Sequence, residues 1–122
     1  MGTGGPAVQG VGIAGTIFLL FAAHALFDFP LQGQFIADGK NRHKPILGVP
    51  WWQLLTAHAL IQAGAVYLIT SSAILGLAEL VIHWLTDWAK CEKYIDFNQD
   101  QAIHYGCKVL WAILVVYEGR LL

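Results

Sequence analysis

Residues 72–89 read SAILGLAELVIHWLTDWA, an apolar stretch in which Glu79, His83 and Asp87 recur at intervals of four. At 3.6 residues per turn, this spacing places the three side chains on one face of an α-helix. The apolar run is too long and alternates too weakly for a β-strand. The stretch therefore predicts a helix that carries one ionisable stripe on an otherwise apolar surface.

The composition of the whole chain points the same way. Of its 122 residues, 57% are hydrophobic and only 12% are charged. A soluble domain of this size has much of its chain at the surface, and there are too few charges here to cover that surface. The net charge of −1 offers no basic surface that could track nucleic acid. We expect an integral membrane protein with the lipid bilayer as its main partner and no nucleic acid.

Four apolar stretches each approach the ~20 residues that a helix needs to cross a bilayer. They cover residues 10–29, 51–70, 72–89 and 98–119. Asp96, followed three residues later by Gln99, is typical of a capping box at the start of the fourth stretch. The sequence thus predicts an all-α fold, a single domain over residues 1–122 that is an integral membrane bundle of four transmembrane helices.

Basic residues in the loops predict how this bundle is oriented. The loop of residues 30–50 and the loop of residues 90–97 are both basic, through Lys40, Arg42 and Lys44 in the former and Lys90 and Lys93 in the latter. Because positive loops stay on the cytoplasmic side, we expect both loops in the cytoplasm and both termini outside, with Arg120 as the one opposing charge. The lysine cluster is interpreted here as a topology signal.

Every predicted span carries polar residues four positions apart. They are His24 and Asp28 in the first span, His58 and Gln62 in the second, Glu79, His83 and Asp87 in the third, and Asp100, His104 and Lys108 in the fourth. The order runs from His to Asp in the first and third spans and from Asp to His in the fourth, as antiparallel helices sharing a site require. A rise of 1.5 Å per residue predicts three layers: a deep ion pair between Glu79 and Lys108, then four histidines, then three aspartates at the cytoplasmic mouth.

The histidines and aspartates form a candidate set of metal ligands. Imidazole nitrogens and carboxylate oxygens suit Zn, Mn or Fe, and seven candidates allow one or two ions: His24, Asp28, His58, His83, Asp87, Asp100 and His104. Two other interpretations stay open at this point. The residues would then form a hydrogen-bonded polar core or line a proton or ion path.

Three motifs resemble those of an uncharacterised family of small integral membrane proteins from bacteria and their phages. They are HxxxDFxLQ at His24–Gln32, HxxxD at His83–Asp87 with Lys90 nearby, and DQxxH at Asp100–His104. The resemblance implies a location in the bacterial inner membrane. It adds Gln32 and Gln101 at the mouth of the site. The His/Asp-rich spans are also similar in style to the LexA-regulated inner-membrane metal-dependent hydrolases.

Our first functional hypothesis is a metal-dependent hydrolase in the cytoplasmic half of the membrane, acting on a lipid or isoprenoid phosphoester. Asp87 or Asp28 would act as general base, and Lys90 would neutralise phosphate charge. The alternative is a non-enzymatic protein, either a metal- or proton-translocating bundle or a phage-type membrane effector. Such an effector would assemble as a homo-oligomer or bind a host protein.

Overall fold

The computed structural model describes residues 12–117, which fold into helices and contain no strand. We number the helices in chain order as α1 (Gly12–Asp28), α2 (Gly33–Gly39), α3 (Trp51–Thr70), α4 (Ala73–Cys91) and α5 (Phe97–Tyr117). The predicted all-α class is confirmed. The short helix α2 was not predicted, and the two termini, with the outer ends of the first and fourth predicted spans, lie outside the described residues.

The helix ends follow from local sequence signals. Pro50 precedes α3 with a φ of −65°, and Ser72 caps α4 by accepting a hydrogen bond from the Leu75 backbone N–H. The predicted capping box is present before α5, where Asp96 Oδ1 accepts from the Gln99 N–H at 2.8 Å and Gln99 Oε1 accepts from the Asp96 N–H at 2.9 Å. These signals set the first residues of α3, α4 and α5. They therefore also set how deep in the bundle the polar residues of these three helices lie.

The four long helices surround a shared interior. The main helix contacts are α1 with α3, α3 with α4, α4 with α5, and α5 back with α1, while α2 packs against α3. Because every long helix faces two neighbours, the face directed at the centre of the ring is enclosed. The stripes of four-spaced polar residues occupy that face in each helix.

One half of the ring's interior is polar, the other half is packed with apolar side chains, and the outer surface is apolar. Among the largest fully buried side chains are a lysine, a glutamate and four histidines: Lys108, Glu79, His24, His58, His83 and His104. Large apolar side chains point outward instead, with Phe18 exposed by 71% and Leu68 by 77%. Charged residues are almost never fully buried in proteins unless they are paired, and the buried Lys108 and Glu79 pair with each other.

Length and composition alone identify few membrane spans. Helix α3 is long and apolar enough to cross a bilayer, and α1 with α2, bent by 83° at their junction, would make a second span if counted together. Four spans are therefore not confirmed by this test. Neither α1 nor α4 counts as a span by itself. Helix α1 has only 17 residues, and α4 carries three charged residues, Glu79, Asp87 and Lys90. The two acidic residues of α4 are buried in the ring.

Close packing of α3 on α4 depends on Gly76. A Cβ at this position would lie 3.3 Å from the Ala63 carbonyl oxygen and 3.3 Å from Tyr67 Cβ, whereas a Cβ at Gly64 would meet nothing within 4 Å. We expect Gly76→Leu to lower stability by about 1–3 kcal/mol through overpacking. The matched control Gly64→Leu should be neutral or stabilising, because leucine favours helix over glycine by about 1 kcal/mol.

Thermal unfolding of the two variants in the same detergent, followed by circular dichroism, measures this difference. Equal melting temperatures for Gly76→Leu and Gly64→Leu would contradict the α3–α4 packing described here.

Candidate metal centre

Four side chains from three helices converge on one point in the interior. His58 Nε2 on α3 lies 2.9 Å from Asp28 Oδ1 on α1, 3.3 Å from Asp87 Oδ2 on α4 and 3.2 Å from His83 Nε2, also on α4. His83 Nε2 lies 3.8 Å from Asp28 Oδ1 and 3.7 Å from Asp87 Oδ2. All four residues are buried. Each offers one ligand atom, and these atoms lie within 4.8 Å of one another.

These separations fit a tetrahedral metal site. Zinc bonds of about 2.0–2.2 Å to nitrogen and oxygen place neighbouring ligand atoms roughly 3.3–3.6 Å apart in a tetrahedron. The five separations given above, 2.9–3.8 Å, scatter around that range. Two carboxylates and two imidazoles also match the ligand chemistry of Zn, Mn and Fe. The residues therefore have the donor types and the spacing to hold a divalent cation.

The orientation of His83 is set by a second layer of contacts. Its Nδ1 lies 3.1 Å from Glu79 Oε1, and the Glu79 carboxylate also accepts hydrogen bonds from Lys108 Nζ and from Trp111 Nε1, the latter at 2.6 Å. Since a carboxylate only accepts, this network assigns the proton of the neutral ring to Nδ1. The Nε2 lone pair is then free to face the cluster, as in carboxylate–histidine–metal arrangements. The predicted pair of Glu79 and Lys108 is present and takes this orienting position.

A second group lies beside the first, on the side of α5. His104 Nε2 is 2.9 Å from Asp87 Oδ1 and 3.3 Å from Asp100 Oδ1. Asp28, Asp100 and His104 together offer three ligand atoms within 4.8 Å of one another. Lys90 Nζ approaches the other oxygen of Asp100, Oδ2, at 3.5 Å. Six of the seven predicted ligands thus fall into one or other of these two groups.

His24 is the predicted ligand that lies in neither group. Its Nε2 faces Gln101 Oε1 at 3.0 Å, and Gln101 Nε2 donates to Asp28 Oδ2 at 2.7 Å and to Asp100 Oδ2 at 3.2 Å. His24 Nε2 also lies 3.6 Å from Asp28 Oδ2, so His24 approaches the aspartates both directly and through the Gln101 amide. Gln32, the other predicted mouth residue, donates to the Asp28 backbone carbonyl at 3.0 Å. Gln62 approaches Asp28 Oδ1 at 3.5 Å.

Lys40 is the site residue that the sequence interpretation missed. It follows α2 directly and is 97% buried, with Nζ 2.7 Å from Asp87 Oδ2. A lysine in a basic loop looks like a topology signal, and its sequence neighbours Arg42 and Lys44 are indeed exposed. Gly39 offers the one local clue, because a side chain there would collide with Leu54 and Ile46. This close approach of the backbone to α3 brings Lys40 inside.

The loop that carries Lys40 is attached to the C-terminal end of α4 by contacts outside the buried cluster. Arg42 donates two hydrogen bonds of 2.7 Å to the Glu92 carboxylate, and His43 Nε2 lies 3.1 Å from Glu92 Oε2. His43 thus contacts Glu92 and not the buried cluster. The hydrogen bond from Arg42 is the main cause that lowers the pKa of Glu92 to about 2, from an ordinary value of 4.5.

We expect Lys40→Met to destabilise the metal-free protein, because it leaves the buried Asp87 carboxylate without its ammonium partner. Removing one partner of a buried ion pair costs about 3–5 kcal/mol. Lys44→Met is the matched control, since Lys44 is exposed and pairs with Asp38 at the surface. Unfolding of both variants in detergent with a chelator present measures the difference. Equal stabilities would show that Lys40 does not stabilise Asp87.

The contact between Arg42 and Glu92 predicts a pH dependence. Because the folded pKa of Glu92 lies below the unfolded value, its stabilising contribution is complete above pH 4.5 and disappears as the pH falls through about 2. Arg42→Ala should return the pKa of Glu92 toward 4.5, whereas Lys44→Ala should leave it unchanged. Carboxyl carbon chemical shifts followed during a pH titration report both values.

Comparisons with known proteins add a family and no activity. No curated protein and no solved structure gives a significant match to the chain. The family described as "Protein of unknown function (DUF3307)" matches residues 16–120, a region that contains every side chain of the buried cluster. Since this match covers most of its length, the chain belongs to the DUF3307 family.

Proposed function

We propose that this protein is a membrane-embedded, metal-dependent hydrolase of the bacterial inner membrane. The observation that carries the proposal is the convergence of Asp28 Oδ1, His58 Nε2, His83 Nε2 and Asp87 Oδ2 at separations of a metal site. Without a cation, a proton on His58 Nε2 and the Lys40 ammonium would have to offset the two buried carboxylates in this low-dielectric interior.

The outward-facing apolar surface supports insertion of all four long helices in the membrane. Lipid solvates residues such as Phe18 and Leu68, while the ring encloses the polar side chains. The basic loops of residues 30–50 and 90–97 lie at one end of the bundle, since Arg42 in the first reaches Glu92 in the second. By the positive-inside rule this end is cytoplasmic, which puts the cluster in the cytoplasmic half of the membrane.

The proposal gives Asp28 and Asp87 the role of ligands, because each directs an oxygen at the point of convergence. A divalent ion held by these residues would supply the activation of a water molecule as the nucleophile. Neither aspartate then needs to act as the general base. Glu79 keeps His83 in the ligating tautomer, and Gln101 fixes the Asp28 carboxylate through Oδ2.

A lipid or isoprenoid phosphoester is the substrate class that the surroundings favour. Lys90 and Lys93 line a pocket of about 450 Å³ at the cytoplasmic end, and Lys90 also reaches Asp100 in the cluster. The lysines would bind a phosphate group there. An apolar groove of about 500 Å³, lined by Phe18, Phe21 and Tyr105 among others, runs along α1 and α5 and would accept a hydrocarbon chain.

The far end of the ring favours a closed site over a path across the membrane. Beyond Glu79 and Lys108, apolar side chains fill the interior: Leu20, Val66, Leu75, Trp111, Ala112 and Val115. The hydroxyls of Thr16 and Thr70, buried in the same half, donate to carbonyls of their own helices. An ion that entered from the cytoplasm would meet a packed apolar layer.

Metal content is the first test of the proposal. We expect protein purified in detergent without a His-tag or chelator to carry bound metal by mass spectrometry. His83→Ala and Asp87→Ala, made singly, should lose it. His43→Ala is the matched control, because this histidine lies outside the cluster. Metal-free wild type, or metal retained in both cluster variants, would contradict the proposed site.

Activity is the second test. Metal-loaded protein should release phosphate from a panel of lipid and isoprenoid phosphoesters. Lys90→Ala should lower the rate by roughly 10²-fold, as for other donors that stabilise developing charge, while metal content stays unchanged. Lys44→Ala should retain full activity. Absence of turnover across the panel by fully loaded protein would contradict the hydrolase assignment and leave the metal site intact.

A further inference from the structure

We infer that the cluster holds two adjacent divalent ions, bridged by the carboxylates of Asp28 and Asp87. This inference rests on the proposed metal site and deepens it. The first ion would lie between His58 and His83. The second would lie toward α5, between Asp100 and His104.

The two bridging carboxylates divide their oxygens between the groups. Asp87 directs Oδ2 at His58 and His83, at 3.3 and 3.7 Å, and Oδ1 at His104, at 2.9 Å. Asp28 directs Oδ1 at the same two histidines, at 2.9 and 3.8 Å, and turns Oδ2 to the other side, where Gln101 donates to it. Each carboxylate therefore also reaches the second group, Asp87 through its contact with His104 and Asp28 through its place beside Asp100 and His104.

The spacing of two imidazole rings matches that of two neighbouring ions. His83 and His104 stack with their centroids 3.9 Å apart and an angle of 19° between their planes. The two Nε2 atoms approach different oxygens of the Asp87 carboxylate. His83 Nε2 lies 3.7 Å from Oδ2, and His104 Nε2 lies 2.9 Å from Oδ1. Ions in two-metal sites lie about 3.5–4 Å apart. Each ring is therefore placed to deliver its Nε2 to a different ion.

An unpartnered oxygen marks the place of the second ion. Asp100 Oδ1 is buried and accepts no hydrogen bond among the described residues. His104 Nε2 lies 3.3 Å away and is closer to Asp87 Oδ1, which can accept its proton. A buried carboxylate oxygen without a partner is costly, and a cation between Asp100 and His104 would satisfy it.

The charges of the cluster then predict an anionic ligand. The positive charge of two divalent ions and of Lys40 and Lys90 would exceed the negative charge of the three carboxylates, those of Asp28, Asp87 and Asp100. A phosphate group and a hydroxide would offset this excess. Inorganic phosphate should therefore tighten binding of the second ion.

Manganese loading tests the inference with a readout that does not depend on turnover. Full-length protein in detergent is stripped with a chelator, loaded with Mn²⁺, and analysed for metal content and by electron paramagnetic resonance. We expect two ions per chain and the spectrum of an exchange-coupled pair. Asp100→Asn should bind one ion and give the six-line spectrum of isolated Mn²⁺. Asp96→Asn, outside the cluster, should keep the coupled pair.

The possible results separate this inference from the proposed site. One uncoupled ion in the wild type would overturn the binuclear centre and leave the single site standing. No bound ion would overturn both. Should Asp100→Asn fail to fold by circular dichroism, the wild-type stoichiometry and spectrum still decide the matter.

Discussion

The structure depends on one buried carboxylate, that of Asp87. It is contacted by Lys40 from the loop after α2, by His58 from α3, by His83 from its own helix and by His104 from α5. An uncompensated charge cannot remain in such an interior, so each of these elements must bring a partner to the same depth. Helix register, the fold of the first loop and the position of the candidate metal centre are consequences of this requirement.

Much of the site could be predicted because its ionisable residues recur with the period of the α-helix. Polar residues spaced by four must share a face, and the reversed order from Asp100 to His104 is what an antiparallel helix needs to meet His83 and Asp87. The structure brings these residues together. The sequence did not reveal that Asp28 and Asp87 divide their oxygens between two groups, since this depends on side-chain rotation and not on spacing.

Other features could not be predicted, because they are set by tertiary contacts. Lys40 resembles its exposed neighbours in sequence, and only the approach of Gly39 to Leu54 and Ile46 carries it into the interior. His24 shares the periodicity of the ligands, yet its Nε2 lies closer to Gln101 Oε1, at 3.0 Å, than to Asp28 Oδ2, at 3.6 Å. Helix α2 is too short for its periodicity to distinguish it from a loop. In each of these cases, the same local sequence pattern is compatible with two different structures.

The two lysines at the cluster explain how so acidic an interior can fold without a bound metal. Lys40 lies on Asp87 and Lys90 approaches Asp100, so two of the three aspartates have an ammonium partner already. Asp28 relies on His58 and Gln101 instead. A cation that entered the first group would share Asp87 Oδ2 with Lys40 and weaken that contact. Metal binding would therefore also change the contacts of the loop that the Arg42–Glu92 ion pair attaches to α4, because this loop carries both Lys40 and Arg42.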